Sequence, residues 1–131
     1  MSLTKVRPIV VGIGELLWDV FPGGKTQGGA PVNFARHCNQ LGASGYPVSC
    51  VGADENGAEL MEGLASLQMD SAYVSKDYHH DTGSVQVTLD ENGTPSYDIR
   101  EGVAWDVLGI SEKLEALAPT VDAVCFGSLA Q

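Results

Sequence analysis

Apolar and polar residues along this chain follow two repeating patterns, one typical of buried strands and one typical of helices. Short apolar runs that end in glycine lie at residues 6–13 and 46–51, and a shorter apolar run lies at 73–74. Between these runs, apolar side chains recur at helical spacing over residues 32–41 and 55–67. This order of strand, helix, strand, helix and strand predicts an α/β fold with a partial doubly wound, mostly parallel sheet.

Each of the two predicted helices has one apolar stripe that we expect to face the core. The last residue of the first stripe is Leu41 and that of the second is Leu67, so we expect both leucines to be buried. Asp54 suits the N-cap of the second helix, because its side chain can accept hydrogen bonds from the first turn. Ser111 suits the N-cap of a third helix at residues 112–117 in the same way.

The pattern changes at residue 84, where apolar and polar side chains begin to alternate. This alternation runs through residues 84–90, a turn signal follows at Asn92 and Gly93, and residues 95–100 run back. We therefore expect a hairpin with one covered face, standing outside the main sheet as a small lid. We expect a second lid segment near residues 15–24, so that the predicted lid strands lie near 15–24 and 84–101.

The chain ends soon after a last apolar run at residues 121–126. A parallel strand inside a sheet needs neighbours on both edges and a helix over each face. We therefore expect residues 1–131 to be part of one larger domain, unless another chain covers the gap.

Composition and charge narrow the functional classes. The net charge of −10, from 17 acidic and 7 basic residues, repels phosphate backbones and anionic lipid, so we expect neither a nucleic-acid nor a membrane role. The apolar run at 9–13 is too short to span a membrane. Cys38, Cys50 and Cys125 stand singly in apolar surroundings, which favours three buried free thiols in a reducing cytoplasm.

Three short motifs carry little weight. Gly-Lys-Thr at 24–26 resembles the end of a phosphate-binding loop, but Asp19 stands where that loop needs glycine, so we expect Lys25 to be a solvated loop residue. Gly12 and Gly14 follow a predicted strand, as in a dinucleotide-binding fingerprint, but Leu17 occupies the position of the third glycine that this fingerprint requires. His-His-Asp at 79–81 is interpreted as a solvated loop rather than a metal site, because adjacent histidines point apart on an extended chain.

One constellation has the chemistry to bind a ligand: Asp19, the pair Gly28 and Gly29, and Asn33. A carboxylate follows a strand, a glycine pair brings bare backbone N–H groups close to a helix start, and an amide side chain follows. Sugar hydroxyls both donate and accept hydrogen bonds, so they suit such a mixture. From the pattern alone, a tight turn with a helix cap is an equally good interpretation.

Six stretches of the chain follow a known family pattern: Gly-Glu-Leu-Leu-Trp-Asp at 14–19, Gly-Gly-Ala-Pro-Val-Asn-Phe-Ala at 28–35, Leu-Gly at 41–42, Val-Gly-Ala-Asp at 51–54 with Gly57, Gly-Val-Ala-Trp-Asp at 102–106 and Phe-Gly-Ser-Leu-Ala-Gln at 126–131. Through these stretches the sequence resembles the N-terminal portion of ribokinase-like carbohydrate kinases, the phosphofructokinase-B family, and in particular its fructokinase-type members.

The resemblance implies a sugar site in which Asp19 holds sugar hydroxyls, a glycine pair lines the pocket and an asparagine binds the sugar under a closing hairpin. Tyr97 and Arg100 are candidate contacts between the lid and the sugar. The alternative for each is an exposed residue of the hairpin that touches no ligand. The implied substrate-binding residues are Asp19, Gly28, Gly29, Asn33, Tyr97 and Arg100.

Two departures from the family pattern matter. Leu17 stands where ribokinase has a polar sugar-binding residue, which argues against ribose and favours a fructose-like ketose, while a keto-acid sugar or a nucleoside stays open. The later Gly-Ala-Gly-Asp segment, with the aspartate that deprotonates the accepting hydroxyl, does not occur in this chain. We therefore expect no catalytic residue here, and the main binding segment for ATP and Mg²⁺ to be absent, so that this chain alone is inactive.

Two other functions remain open. A non-catalytic sugar-binding or interaction module would keep the pocket and pair with a second chain through its lid hairpin, which also allows a homodimer. A nucleotide-binding α/β domain of unrelated function is the weaker alternative.

Overall fold

A computed structural model describes residues 6–131 of the chain. Its strands are β1 (Ile9–Ile13), β2 (Leu17–Phe21), β3 (Gly24–Gly28), β4 (Ser44–Gly52), β5 (Val74–Asp77), β6 (Gly83–Leu89), β7 (Pro95–Ile99) and β8 (Ala123–Phe126). Its helices are α1 (Ala30–Gln40), α2 (Glu55–Ser66) and α3 (Glu112–Leu117), with 3₁₀ turns at Ala104–Val107 and Ala118–Thr120.

The main sheet has the strand order β5-β4-β1-β8, and all of its strands are parallel. Helices α1 and α2 and the main sheet share one apolar cluster, which confirms the predicted α/β fold with a mostly parallel sheet. The buried members of that cluster are Leu16, Val32, Ala35, Val51, Leu60, Leu64, Met69 and Val74.

Two glycines let α1 approach this sheet closely. A Cβ atom on Gly12 would lie 1.9 Å from the carbonyl oxygen of Pro31, and one on Gly45 would lie 2.3 Å from that of Ala35. Any side chain at these positions would therefore push the helix off the sheet.

A second sheet stands apart from the main one, with the order β3-β2-β6-β7. Strands β2 and β6 are parallel, whereas β2–β3 and β6–β7 are antiparallel pairs. The predicted hairpin at 84–100 is present as β6 and β7. Strand β3 was not predicted, because its sequence, Gly-Lys-Thr-Gln-Gly, has no apolar alternation and follows a Pro-Gly-Gly break.

Both predicted N-caps are present, but the expected burial of Leu41 and Leu67 at the ends of the two apolar stripes is wrong. The Asp54 side chain accepts a hydrogen bond from Gly57 N at 2.8 Å, and the Ser111 hydroxyl accepts one from Leu114 N at 3.2 Å. Leu41 is 88% exposed and Leu67 is 38% exposed, because each is the C-cap residue where the helix leaves the core.

The cysteines differ from expectation in burial. Cys50 is buried, but Cys38, near the C-terminal end of α1, and Cys125, on the edge strand β8 of the main sheet, are only partly buried. All three thiols are free. Among residues 6–131, every helix is too short or too polar to cross a lipid bilayer.

Candidate functional site

The strand pairing of the second sheet sorts its side chains onto two faces. Because paired residues project to the same side and neighbours along a strand to opposite sides, the register fixes both sets. The inner face carries Leu17, Asp19, Phe21, Gly24, Thr26, Gly28, Gly83, Val85, Val87, Leu89, Pro95, Tyr97 and Ile99. The outer face carries Trp18, Val20, Lys25, Gln27, Ser84, Gln86, Thr88, Ser96 and Asp98. Asp19 is therefore the one charged group on an otherwise largely apolar inner face.

The Asp19 carboxylate lies directly against the backbone of Gly28. A Cβ atom on Gly28 would be 2.4 Å from Asp19 Oδ2 and 3.1 Å from Leu17 Cδ1. Partial burial raises the pKa of Asp19, and no hydrogen bond from residues 6–131 acts in the opposite direction. The carboxylate is thus partly buried and has no hydrogen-bond partner among residues 6–131, so it is available to accept from hydroxyl donors.

Gly29 connects β3 directly to α1 in a conformation that needs glycine. Its φ angle is 123°, and an added Cβ atom would lie 2.3 Å from the carbonyl oxygen of Glu15. The first hydrogen bond of the helix runs from Asn33 N to Gly29 O at 3.0 Å. The N-terminus of α1, with its unpaired backbone donors and positive dipole end, therefore begins next to Gly28 and Asp19. Asn33 itself is exposed on the first turn.

The two candidate lid contacts lie in different places. Tyr97 is on the inner face opposite Val87, in a row next to that of Asp19, and is 62% exposed. Arg100 follows β7, and its Nη2 donates to Asp81 Oδ2 at 2.6 Å. The structure therefore gathers Asp19, the glycine pair and Asn33, and leaves Tyr97 further along the same face, whereas Arg100 is engaged in an ion pair.

A polar junction that the sequence did not reveal connects the two sheets. Thr82, immediately before β6, donates from its hydroxyl to Asp54 Oδ1 at 2.5 Å and from its backbone N to Oδ2 at 2.8 Å. The same hydroxyl accepts a hydrogen bond from Gly52 N at 2.9 Å. Burial alone would raise the pKa of Asp54, but the hydrogen bonds from Thr82 and Gly57 outweigh it and lower the pKa.

Two further buried polar groups escaped the sequence-based prediction. Glu15 is 4% exposed, and its Oε2 has no hydrogen-bond partner among the described residues. Trp105 Nε1 is likewise unpaired within residues 6–131 and lies so close to Gly83 that a Cβ atom there would be 2.2 Å away. Trp105 also lines a cavity of about 270 Å³ beside Gly14, at the carboxyl end of β1. The one sequence signal that could have pointed to Trp105 is its place in the Val-Ala-Trp-Asp stretch at 103–106.

The loop at 79–81 is organised by its neighbours. Asp77 Oδ1 accepts hydrogen bonds from the backbone N atoms of His79 and His80, each at 2.8 Å, and these contacts, with the one to the His80 ring, lower the pKa of Asp77. Within the part of the chain that the structure describes, no group of three or more His, Cys, Asp or Glu side chains could hold a metal ion.

Lys25 is exposed, as the sequence suggested, but it lies in a strand and is held by partners rather than free in a loop. It lies in β3, where its Nζ donates to Asn56 Oδ1 at 2.8 Å and forms an ion pair with Glu59. The loop assignment was wrong because the strand partner and the acidic and amide partners come from other parts of the chain, which local sequence does not show.

Comparison with known proteins gives consistent matches. The model of the pfkB family carbohydrate kinases matches residues 10–130. A sugar kinase of Pyrococcus horikoshii is 30% identical over 132 residues, which cover 92% of this chain and 42% of that protein. Its crystal structure, of an uncharacterized sugar kinase, superposes with a TM-score of 0.81 at 29% identity, over 93% of this chain and 43% of that one. The same kinase has been solved in complex with ATP.

Two relatives carry more specific names. Fructoselysine 6-kinase of Escherichia coli is 32% identical over 114 residues, covering 86% of this chain and 43% of that protein. Fructokinase of Salmonella typhimurium is 27% identical over 111 residues, covering 81% of this chain and 36% of that protein. The chain thus spans about two-fifths of the length of these relatives.

Proposed function

Because this chain belongs to the pfkB family of carbohydrate kinases, we propose that it is the sugar-binding portion of an ATP-dependent sugar kinase. The complete protein phosphorylates a hydroxyl of a fructose-like sugar. One observation carries this proposal: the Asp19 carboxylate, partly buried and without a hydrogen-bond partner among residues 6–131, lies against Gly28, beside the N-terminus of α1.

The chemistry of that arrangement suits vicinal hydroxyls. Sugar hydroxyls donate to the Asp19 carboxylate, and a hydrogen bond to a charged group contributes about 1.5–3 kcal/mol. The same hydroxyls accept from backbone N–H groups at the start of α1, and the Asn33 amide can do either. Gly28 leaves room for the Asp19 carboxylate and Gly29 for the carbonyl oxygen of Glu15, so the carboxylate and the start of α1 can lie side by side.

A fructose-like ketose is the proposed substrate. Leu17 is 4% exposed and projects from the inner face next to Gly28, so it offers no polar group to a sugar at that position. Two relatives bear the names fructokinase and fructoselysine 6-kinase, which supports a ketose rather than ribose.

The phosphoryl donor is proposed to be ATP with Mg²⁺, in keeping with the ATP complex of the Pyrococcus horikoshii sugar kinase. Mg²⁺ is usually held by one or two carboxylates together with the phosphates of the nucleotide, and residues 6–131 contain no group of three or more His, Cys, Asp or Glu side chains that could hold it alone. We therefore assign this chain the binding and orientation of the acceptor sugar. Deprotonation of the hydroxyl and stabilisation of the transferred phosphoryl group require residues outside these 131, so this chain alone is expected to be inactive.

The hairpin of β6 and β7 is proposed to act as the lid. Tyr97 lies on the same face as Asp19, in position to cover a bound sugar, whereas Arg100 would first have to leave Asp81. A homodimer through the lid is part of the proposal, because Leu89 and Tyr97 leave apolar surface on the inner face 58% and 62% exposed.

A second candidate is a non-catalytic sugar-binding or interaction module. It is favoured by the exposure of β7, an edge strand whose five residues are all exposed and which could pair with a strand of another chain.

The test is turnover by the complete gene product. We expect ATP-dependent phosphorylation of fructose or a fructose derivative, measured by coupled ADP release, with ribose, a keto-deoxy sugar acid and adenosine as competing acceptors. An Asp19→Asn variant serves as the site control and should lose most of the sugar-dependent signal. ADP release that does not depend on any sugar, or no release at all, would reject the kinase and favour the binding module.

A further inference from the structure

Helix α2 contacts the outer face of the second sheet directly behind the proposed sugar site. The contacts on the helix come from Asn56, Glu59 and Gly63, which are three and four positions apart and so lie along one side of α2. On the sheet, they come from Trp18 in β2 and from Lys25 and Gln27 in β3.

The individual contacts are polar and well defined. Trp18 Nε1 donates to the backbone oxygen of Asn56 at 3.0 Å. Lys25 Nζ lies 4.4 Å from the centroid of the Trp18 ring, donates to Asn56 Oδ1 and pairs with Glu59. Gln27 Oε1 reaches so close to α2 that a Cβ atom on Gly63 would be only 2.4 Å from it. Gly63 thus leaves room for the Gln27 side chain in its present conformation.

These anchoring residues alternate with the site residues along the same two strands. Trp18 immediately precedes Asp19, and Gln27 immediately precedes Gly28. Because neighbouring side chains of a strand project to opposite faces, a shift of the outer face moves the inner face with it. The spacing of the Asp19 carboxylate and the Gly28 backbone therefore depends on how firmly β2 and β3 are held on α2.

We propose that Lys25 and Trp18 are positioning residues for the sugar site, which hold β2 and β3 on α2 so that Asp19 meets a sugar in a fixed geometry. This inference rests on the proposed function and extends it to residues that touch no substrate. Lys25 acts through position rather than through charge: Glu59 neutralises its ammonium group, and it lies on the face opposite to Asp19. Accordingly, an arginine at position 25 preserves the contact, whereas a methionine of similar length does not.

The experiment compares Lys25→Met, Lys25→Arg and Glu59→Gln in the complete gene product, with Lys113→Met as the matched control on α3. We expect Lys25→Met to raise the KM for the sugar about fivefold with little change in kcat, since partly exposed ion pairs and cation–π contacts are weak. Lys25→Arg should restore the KM to within about twofold, and Lys113→Met should leave it unchanged. Hydrogen exchange of the β2 and β3 amides should speed up in Lys25→Met alone among the lysine variants.

The outcomes separate this inference from the function on which it rests. If the unmodified protein phosphorylates no sugar, both the proposed function and the positioning role that rests on it are rejected. If it does, equal KM values in Lys25→Met and the unmodified protein overturn only the positioning role, as does a loss confined to kcat. Should Lys25→Met fail to fold, Glu59→Gln removes the same ion pair from the helix side and must raise the KM in its place.

Discussion

The junction between Thr82 and Asp54 allows a quantitative test of how the second sheet is attached. Thr82 is 2% exposed, and valine has nearly the same shape without the hydroxyl. Thr82→Val removes a hydrogen bond to a carboxylate, which contributes about 1.5–3 kcal/mol, and leaves the buried Gly52 N–H unpaired at a cost of about 1–3 kcal/mol. Because one hydroxyl makes both contacts, the two losses overlap, and we expect about 3 kcal/mol of lost stability at pH 7.

The loss should depend on pH in a defined direction. The hydrogen bonds from Thr82 and Gly57 hold the pKa of Asp54 below its ordinary value, against the effect of burial. A lowered folded-state pKa contributes stability above the unfolded-state value, near 4, and that contribution disappears as the pH falls through the folded-state pKa. The difference between Thr82→Val and the unmodified chain should therefore be largest at neutral pH and smaller at about pH 3.

Urea unfolding at a series of pH values measures this difference through the midpoint, provided that the slope stays constant. Thr88→Val on the exposed side of β6 is the matched control and should change stability by less than about 0.5 kcal/mol. A Thr82→Val loss that is no larger than the control, or one that is equal at pH 7 and pH 3, would refute the reasoning.

Two further changes test the sugar site itself. Asp19→Asn should raise stability at neutral pH, because burial raises the pKa of Asp19 and its charged form opposes folding above that pKa. It should also weaken sugar binding at least about tenfold. A thermal melt measures the stability and a calorimetric titration measures the sugar affinity. A variant that loses stability as well as sugar affinity would contradict the prediction. Gly29→Ala should destabilise the chain by about 2–4 kcal/mol, since its φ is 123° and its Cβ would meet Glu15 O. Gly23→Ala, where no atom lies within 4 Å of an added Cβ, is its control in the same urea titration, and equal effects at both positions would count against the argument.

The sequence predicted the main sheet well because its signals are local. Buried parallel strands appear as short apolar runs that end in glycine, and the caps Asp54 and Ser111 each accept their capping hydrogen bond from a backbone N–H three residues further on. Asp19 and Gly28, which the sequence analysis grouped in one constellation, lie next to each other in the structure. Their role in sugar binding stays a prediction.

The second sheet was harder to predict because its contacts come from distant parts of the chain. Strand β3 has almost no apolar residues, and it is held by pairing with β2 and by α2 rather than by its own pattern. The Thr82 junction likewise needs a partner 28 positions away. Local spacing carries no information about such partners, so Lys25 and Thr82 were not recognised.

The parallel pairing of β2 with β6 has a consequence for how the protein is made. Leu17 pairs with Gly83, and α1, β4, α2 and β5 all lie between them in sequence. Such non-local contacts form slowly, because the loop-closure entropy must be paid first. At a synthesis rate of about 5–20 residues per second, one edge of β2 stays unpaired for several seconds after β2 and β3 have formed their hairpin. The strand that carries Asp19 is therefore among the first to be synthesised and among the last to be completed.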